Sequence, residues 1–141
     1  MKGVLLTLEV PAGQAGDRLT GTLHLENGGH DSVRAASPLN AAALNVVVFD
    51  RYWNAVQPQP QGKANVGYDE VTLDPGEAVQ FALVGLAFTS GTARFAYRLQ
   101  PGRHFAVAVY HPGTSRRPED SSFPHAMTSN VVPFDVEDGV G

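Results

Sequence analysis

The feature that most constrains the fold is the alternating apolar run over residues 99–111, which begins with a Pro101-Gly102 turn. Successive side chains on a strand point to opposite faces, so this run predicts a strand with two distinct faces. Phe105, Val107 and Val109 make up one face, and we expect that face to point into a core. The run therefore predicts a central strand, with the other strands paired or packed around it.

The second face of this strand is also apolar. It carries Ala106, Ala108 and Tyr110, and we expect it to lie beside Val47 and Phe49. An apolar face outside the main core must be covered by a loop or by another subunit. This face is therefore a candidate contact in a homodimer, with Tyr110 as a candidate binding residue.

Other segments alternate with the same period, and turn residues separate them. Asp74-Pro75-Gly76 is one such turn, since proline sets φ and glycine supplies a positive φ. We predict a strand over residues 85–99 as well, although the residues after Thr92 also suit one or two helical turns. Residues 27–43 and 111–127 are predicted to be two long loops. The remaining predicted strands are 4–10, 18–26, 44–50, 71–73, 77–84 and 129–136.

Many short strands without a long helix predict an all-β fold of one domain over residues 1–141. We expect an antiparallel β-sandwich of seven to eight strands with two long loops, and a closed barrel is the alternative. A chain of 141 residues is long enough to bury a core without disulfides. The predicted core residues are Leu23, Leu25, Val46, Val48, Phe81, Leu83, Phe105, Val107, Val109 and Phe134.

Two motifs resemble those of immunoglobulin-like domains. The residues from Leu99 to Val107 resemble the L-x-P-G-x-x-[YF]-x-V start of strand F in fibronectin type III domains, with Phe105 where a tyrosine is usual. The turn from Leu73 to Glu77 resembles the L-x-P-G-E turn of bacterial immunoglobulin-like modules, including the intracellular proteinase inhibitor family of bacilli. The resemblance implies an immunoglobulin-like sandwich and adds a proteinase-inhibitor-like domain as one possible function.

The charge balance and the absence of cysteine exclude several classes of function. The net charge is −4, which argues against nucleic acid as a partner because phosphate binding needs a concentrated basic surface. Without cysteine there are no disulfides, thiolate metal sites or cysteine nucleophiles. No stretch approaches the roughly 18 apolar residues of a membrane helix. With no signal peptide evident, we expect a cytoplasmic protein that does not insert into membranes.

Enzyme motifs are absent from the sequence. There is no G-x-S-x-G, H-E-x-x-H, P-loop or G-x-G-x-x-G pattern. Asp69-Glu70 and Glu119-Asp120 are adjacent pairs, and neighbouring residues on a strand point to opposite faces. Neither pair therefore forms an acid–base dyad by itself, and we expect the chain not to be an enzyme.

Histidines are concentrated in the two predicted loops. His30 lies in the first, and His111 and His125 lie in the second. In an immunoglobulin-like topology these loops share one end of the sandwich, so the three imidazoles are a candidate site for a divalent metal such as zinc. No short ligand spacing such as H-x-H supports the site, and solvent-exposed histidines that never converge are the simpler expectation. On that expectation the chain has no cofactor.

Large aromatic and basic side chains supply the second group of candidates. Tyr52 and Trp53 occupy a predicted hairpin tip, where they either meet a partner or cover the open end of the sandwich. Arg116 and Arg117 form a pair in the second long loop, where they face solvent or a partner.

The sequence as a whole favours a non-enzymatic module that binds a protein partner or a second copy of itself. Such a module would use the loops and the Tyr52-Trp53 tip, because a rigid sandwich presenting loops suits recognition. A small-molecule, carbohydrate or metal-binding accessory domain that uses the three loop histidines is the alternative. Proteinase inhibition is the third possibility.

Overall fold

The alternating segments form strands in the computed structural model, which describes residues 4–15, 19–40, 43–63, 69–90, 92–112 and 126–137. A short 3₁₀ turn, Val84–Leu86, interrupts them. The strands of these residues are β1 (Val4–Glu9), β2 (Gly13–Ala15), β3 (Thr22–Asn27), β4 (Val33–Ala36), β5 (Leu44–Asp50), β6 (Gln59–Lys63), β7 (Glu70–Leu73), β8 (Ala78–Ala82), β9 (Phe88–Ser90), β10 (Ala93–Ala96), β11 (Gly102–Tyr110), β12 (Met127–Thr128) and β13 (Val132–Glu137).

Two sheets carry the sandwich. One has the order β1-β3-β8, and the other places β11 between β5 on one side and β12 and β13 on the other, with β2 pairing in parallel to β13. This matches the division of an immunoglobulin domain into an A-B-E sheet and a C-F-G sheet. The fold is therefore an immunoglobulin-like β-sandwich, as predicted, and β11 is the central strand of its sheet.

The core contains residues from both sheets. Leu8, Leu23 and Leu25 come from the β1-β3-β8 sheet, while Val46 and Phe134 come from the sheet around β11. Each of the five is at most 2 % exposed. Burying a side chain of this size contributes about 1.5–3 kcal/mol, so the alternation in β1, β3 and β5 accounts for much of the stability.

The face assignment of β11 is reversed relative to the prediction. His104, Ala106, Ala108 and Tyr110 are buried, whereas Phe105, Val107 and Val109 are only half-buried. The cross-strand register explains the reversal, because Ala106 pairs with Val48 and Ala108 with Val46, both of which point into the core. The prediction that Phe105, Val107 and Val109 point into the core was therefore wrong.

Three segments differ from the predicted secondary structure. The first long loop contains β4, which pairs with β7. β6, which is absent from the predicted strands, contains Pro60 and forms a fully exposed edge strand beside β10, where a proline is tolerated. Residues 85–99 contain the strands β9 and β10. The residues after Thr92, for which helical turns were the alternative, form β10, so the strand interpretation is correct there.

A helix long and apolar enough to cross a bilayer does not occur in the described part of the chain.

Candidate functional site

A tight turn after β5 builds the candidate site. The Asp50 carboxylate accepts the backbone N–H groups of Tyr52 at 2.8 Å and Asn54 at 3.0 Å. The backbone closes the same turn, since Asp50 donates its N–H to the Asn54 carbonyl at 2.9 Å. The Asn54 hydrogen bond, joined by that from Tyr52, holds the pKa of the Asp50 carboxyl below its ordinary value. Local side-chain-to-backbone bonds of this kind specify a turn.

Trp53 has an uncommon backbone conformation in this turn. Its φ is +66°, in the left-handed region that bulky residues rarely adopt. Its N–H donates to the Asp50 carbonyl at 3.0 Å, so the closed turn holds the residue there. Holding a non-glycine residue in this region costs about 1–3 kcal/mol, and such strain concentrates at functional sites.

The turn places the Trp53 indole on the outer face of the β5-β11 sheet. Its ring stacks on Phe105 with centroids 4.1 Å apart and an angle of 12°, and it lies 5.9 Å from Phe49. Phe49 and Phe105 are direct cross-strand partners, so the sheet itself aligns them. We call Phe49, Trp53 and Phe105 the aromatic platform.

The surface around the aromatic platform is apolar and accessible. Trp53 remains 57 % exposed although it is stacked, and Tyr52 is 67 % exposed. Val47 and Val107 pair across β5 and β11 next to the platform and are half-buried. Aromatic side chains held rigidly in this way offer a large contact area at low entropic cost.

A shallow cavity of about 230 Å³ adjoins the turn, with Asp50, Arg51, Tyr52 and Arg103 in its lining. Arg51 lies over the Tyr52 ring at 4.8 Å, a cation–π distance. Arg103 forms a bidentate pair with Asp135 at 2.6 and 3.2 Å. The rim beside the platform is thus polar and carries both signs of charge, as at a protein interface.

Two predicted binding residues, Tyr52 and Trp53, lie in the turn as expected. Trp53 covers Phe105 on the outer face and does not belong to the core cluster, so it is not a cap on the open end of the sandwich. Tyr110, a third predicted binding residue, is fully buried, and its hydroxyl donates to the Ala36 carbonyl. Assigning Tyr110 to a subunit contact was therefore wrong. Arg116 and Arg117 lie outside the described residues.

The predicted metal ligands are not brought together as far as the described residues go. Pro112, next to His111, accepts the N–H of Ala36 at the end of β4, whereas His30 precedes the start of that strand. His125 lies outside the described residues. Among those that are described, no group of three histidine, cysteine, aspartate or glutamate side chains is placed to hold a metal ion. The zinc hypothesis stays a prediction.

Sequence reasoning missed Asp50 and Phe105 as residues of the site. It placed Phe49 on an apolar face outside the core, but beside the wrong face of β11. An aspartate followed two and four residues later by Tyr52 and Asn54 is a turn signal that could have identified Asp50. Phe105 was assigned to the core because both faces of β11 are apolar. Its position opposite Phe49 depends on the register with β5, which no local pattern reveals.

No protein-family model and no curated protein sequence matches the chain, so its resemblance to the proteinase inhibitor family stays a prediction.

Solved structures that resemble the chain do so at low identity. They include PapD-like domain 7 of human CEP192 (15 % identity, TM-score 0.40, covering 96 % of this chain and 87 % of that one). The yjhA protein of Bacillus subtilis has 16 % identity and a TM-score of 0.35, covering 97 % and 95 %. AvmM, which catalyses macrocyclization in alchivemycin A biosynthesis, has 15 % identity and a TM-score of 0.41, covering 100 % and 92 %.

Proposed function

We propose that this chain is a non-enzymatic protein-interaction module that binds a protein partner through the aromatic platform. The observation that carries the proposal is Trp53, whose backbone is held at φ +66° while its ring stays 57 % exposed. Folding alone gains little from a strained residue whose ring is left largely in water. A partner that covers the ring would bury its exposed apolar surface.

The composition of the surface agrees with this role. Interface energy concentrates in tryptophan, tyrosine and arginine side chains near the centre of a patch. Trp53 is such a residue, and it is preceded in the turn by Arg51 and Tyr52, whose side chains contact each other. The half-buried valines of β5 and β11 extend the apolar area, and the ion pair of Arg103 with Asp135 contributes a polar rim.

Rigidity supports recognition over catalysis. The platform lies on paired strands, and the turn that holds Trp53 is closed by the hydrogen bonds to Asp50. A preorganised surface loses less conformational entropy on binding. Its three rings carry no nucleophile, general acid or general base, so the platform itself offers contact area and no chemistry.

The test uses Trp53→Asn, because asparagine tolerates the left-handed conformation and leaves the turn intact. A benzophenone side chain introduced at Tyr52 would crosslink the bound protein in the native host, and mass spectrometry would identify it. Calorimetry with the purified partner should then show an affinity loss of about 30-fold for Trp53→Asn, since a hot-spot residue contributes 2 kcal/mol or more.

The matched control is Leu5→Ser. Leu5 is 58 % exposed and lies on the outer face of the other sheet, so its replacement should leave the affinity unchanged. If the protein captured at Tyr52 is a second copy of this chain, the complex is a homodimer. Trp53→Asn should then weaken dimer formation in the same way. If Trp53→Asn and Leu5→Ser bind the crosslinked protein as the parent chain does, the aromatic platform is not the interface.

A further inference from the structure

A second groove lies away from the aromatic platform, where β9 and β10 approach the segment before β5. It has a volume of about 410 Å³ and an apolar side that includes Leu39, Leu44 and Phe88. That volume lies within the range of pockets that hold small molecules. Lys63 and Arg94 supply the positive charge of its lining.

The charge of this groove has one sign. Its described lining contains no aspartate or glutamate, and neither does that of an adjoining groove of about 340 Å³, which shares Arg94 and adds Arg98. Arg34 and Arg103 form ion pairs with Glu70 and Asp135. Among the described carboxylates, none lies within 4.0 Å of Lys63, Arg94 or Arg98.

This concentration of positive charge contrasts with the net charge of the chain, which is −4. Cations that have no carboxylate partner in the described part of the chain, and that lie beside a low-dielectric apolar wall, focus the field and raise the local concentration of anions. The groove is therefore complementary to an anion, even though the chain as a whole is acidic.

Local backbone geometry leaves Arg94 free to meet a ligand. Its cross-strand partner on β6 is Gly62, which has a φ of +116° and no side chain to crowd the guanidinium. The register between β10 and β6 shifts between Arg94 and Phe95, an irregularity of the kind that re-aims side chains near functional sites.

The apolar side of the groove is firmly supported. Phe88 stacks on Phe95 with centroids 5.6 Å apart and contacts the Tyr97 ring at 6.2 Å. Tyr97 is anchored in turn, because its hydroxyl donates to the Val46 carbonyl at 2.6 Å. A ligand would thus meet a fixed aromatic surface on one side and flexible cations on the other.

We propose that this groove binds a small organic anion with an apolar body, of the class of aliphatic or aromatic carboxylates. The apolar body lies against Leu39 and Phe88, and the carboxylate binds Arg94. Lys63 is opposite Ala93, on the other face of the β6-β10 pair, and adds positive potential at longer range. Arg94 suits this role because a guanidinium binds a carboxylate with two parallel hydrogen bonds. The site is separate from the aromatic platform and does not depend on it.

Titration with octanoate, followed by amide NMR, tests the proposal. Octanoate should shift the signals of residues 87–89 and 39 in a saturable manner. Octanamide, which has the same body without the charge, should bind at least about tenfold more weakly, because charge-assisted hydrogen bonds are about twice as strong as neutral ones. Raising the salt concentration should weaken octanoate binding further.

Variants of equal charge change locate the site. Arg94→Gln should weaken octanoate binding about tenfold and Lys63→Gln by a smaller factor, whereas Arg34→Gln, on β4, should leave it within about twofold. Circular dichroism verifies that each variant is folded, and two variants keep the test decisive if one does not fold.

Equal binding of octanamide and octanoate, equal effects of the three variants, or shifts centred on Trp53 would each overturn the proposal, as would the absence of any saturable shift. Trp53→Asn should bind octanoate normally. A failure of this site therefore leaves the proposed protein-binding function untouched, and a failure of the platform leaves this site untouched.

Discussion

Two buried tyrosines show how single residues join distant parts of this chain. Tyr110 donates its hydroxyl to the Ala36 carbonyl and Tyr97 donates to that of Val46, across 74 and 51 positions of sequence. A buried hydroxyl without a partner is costly, so each tyrosine specifies both its own position and that of the carbonyl it reaches. Tyr110 thereby connects β11 to the end of β4.

Replacing Tyr110 by phenylalanine should lower the free energy of unfolding by about 1–2 kcal/mol, because the Ala36 carbonyl loses its buried partner. Urea unfolding measures the change. Tyr52→Phe is the matched control, since Tyr52 is 67 % exposed and its loss of a hydroxyl should cost little. Equal costs for the two substitutions would contradict this account of Tyr110.

Alkaline pH should destabilise the fold through the same residues. Burial raises the pKa of Tyr97 from 10.0 to about 12, and burial raises that of Tyr110 as well. Above pH 10 the unfolded chain releases these protons while the folded chain keeps them, so stability is intact below pH 10 and is lost as pH rises toward 12.

Urea midpoints recorded at increasing pH above neutrality measure this loss. The parent chain should lose stability above pH 10, whereas a Tyr97→Phe, Tyr110→Phe double variant should show a flatter profile. Tyr52→Phe should retain the slope of the parent. A double variant with an unchanged slope would show that other groups cause the loss.

At the scale of the element, β11 shows what a local pattern can and cannot predict. Its period of two identifies the strand correctly, because every second residue is buried. Both faces are apolar, so the pattern does not say which of them meets the core. The neighbouring strand determines which face is buried. Val46 and Val48 point into the core, and their cross-strand partners Ala108 and Ala106 lie on the same face.

A matched pair of charges tests the orientation of β11. Ala106→Asp should cost about 4 kcal/mol or more, since it places an unpaired carboxylate in the core. Val107→Asp should cost only about 1 kcal/mol, because that side chain is half-buried on the outer face. Chemical denaturation compares them, and a greater loss for Val107→Asp would restore the original face assignment.

The turn after β5 should respond to acid. Hydrogen bonds from the backbone of Asn54 and then of Tyr52 lower the pKa of Asp50 below 3.8. The contribution of the carboxylate to the turn is present above pH 3.8 and is lost as pH falls through the lowered pKa. Trp53 is the sole tryptophan of the chain, so its fluorescence reports on this turn.

The parent chain should therefore show a fluorescence change below pH 3.8, and Asp50→Asn should remove it. Asp135→Asn is the control, because it disrupts the ion pair with Arg103 without touching the turn. An acid transition that persists in Asp50→Asn would assign the change to another group.

Across the whole molecule, the two sheets are joined by one side chain as well as by the core. The Asn130 amide oxygen accepts the N–H of Leu8 at 2.9 Å, and its nitrogen donates to the Leu8 carbonyl at 3.1 Å. Asn130 precedes β13 and Leu8 lies in β1, so the two bonds connect the β1-β3-β8 sheet to the sheet around β11.

Asn130→Ala should reduce the free energy of unfolding by about 1–2 kcal/mol, because both Leu8 backbone groups lose a partner. Amide hydrogen exchange at Leu8 should accelerate more than exchange at Leu25, which pairs inside its sheet. Uniform acceleration at both positions would indicate global destabilisation without a local role for Asn130.

The class of fold could be predicted from the sequence because alternation and turn chemistry are local properties. β1 and β3 follow their alternation residue by residue, and Gly76 adopts the positive φ that its turn requires. β4 could not be predicted, since Val33–Ala36 has a single β-branched residue and depends on pairing with β7. The aromatic platform was predicted in part. Trp53 could be recognised from the sequence as a candidate binding residue, whereas its stacking on Phe105 depends on the register between β5 and β11.

The position of Asn130 affects how readily the edge of β1 can pair with a strand of another molecule. A free sheet edge offers unsatisfied amide and carbonyl groups that a neighbouring chain can zip onto. At Leu8 those groups are occupied by a side chain that imitates a peptide unit but cannot propagate a ladder. Asn130 thus hinders the addition of a strand from another copy at this position of the β1 edge.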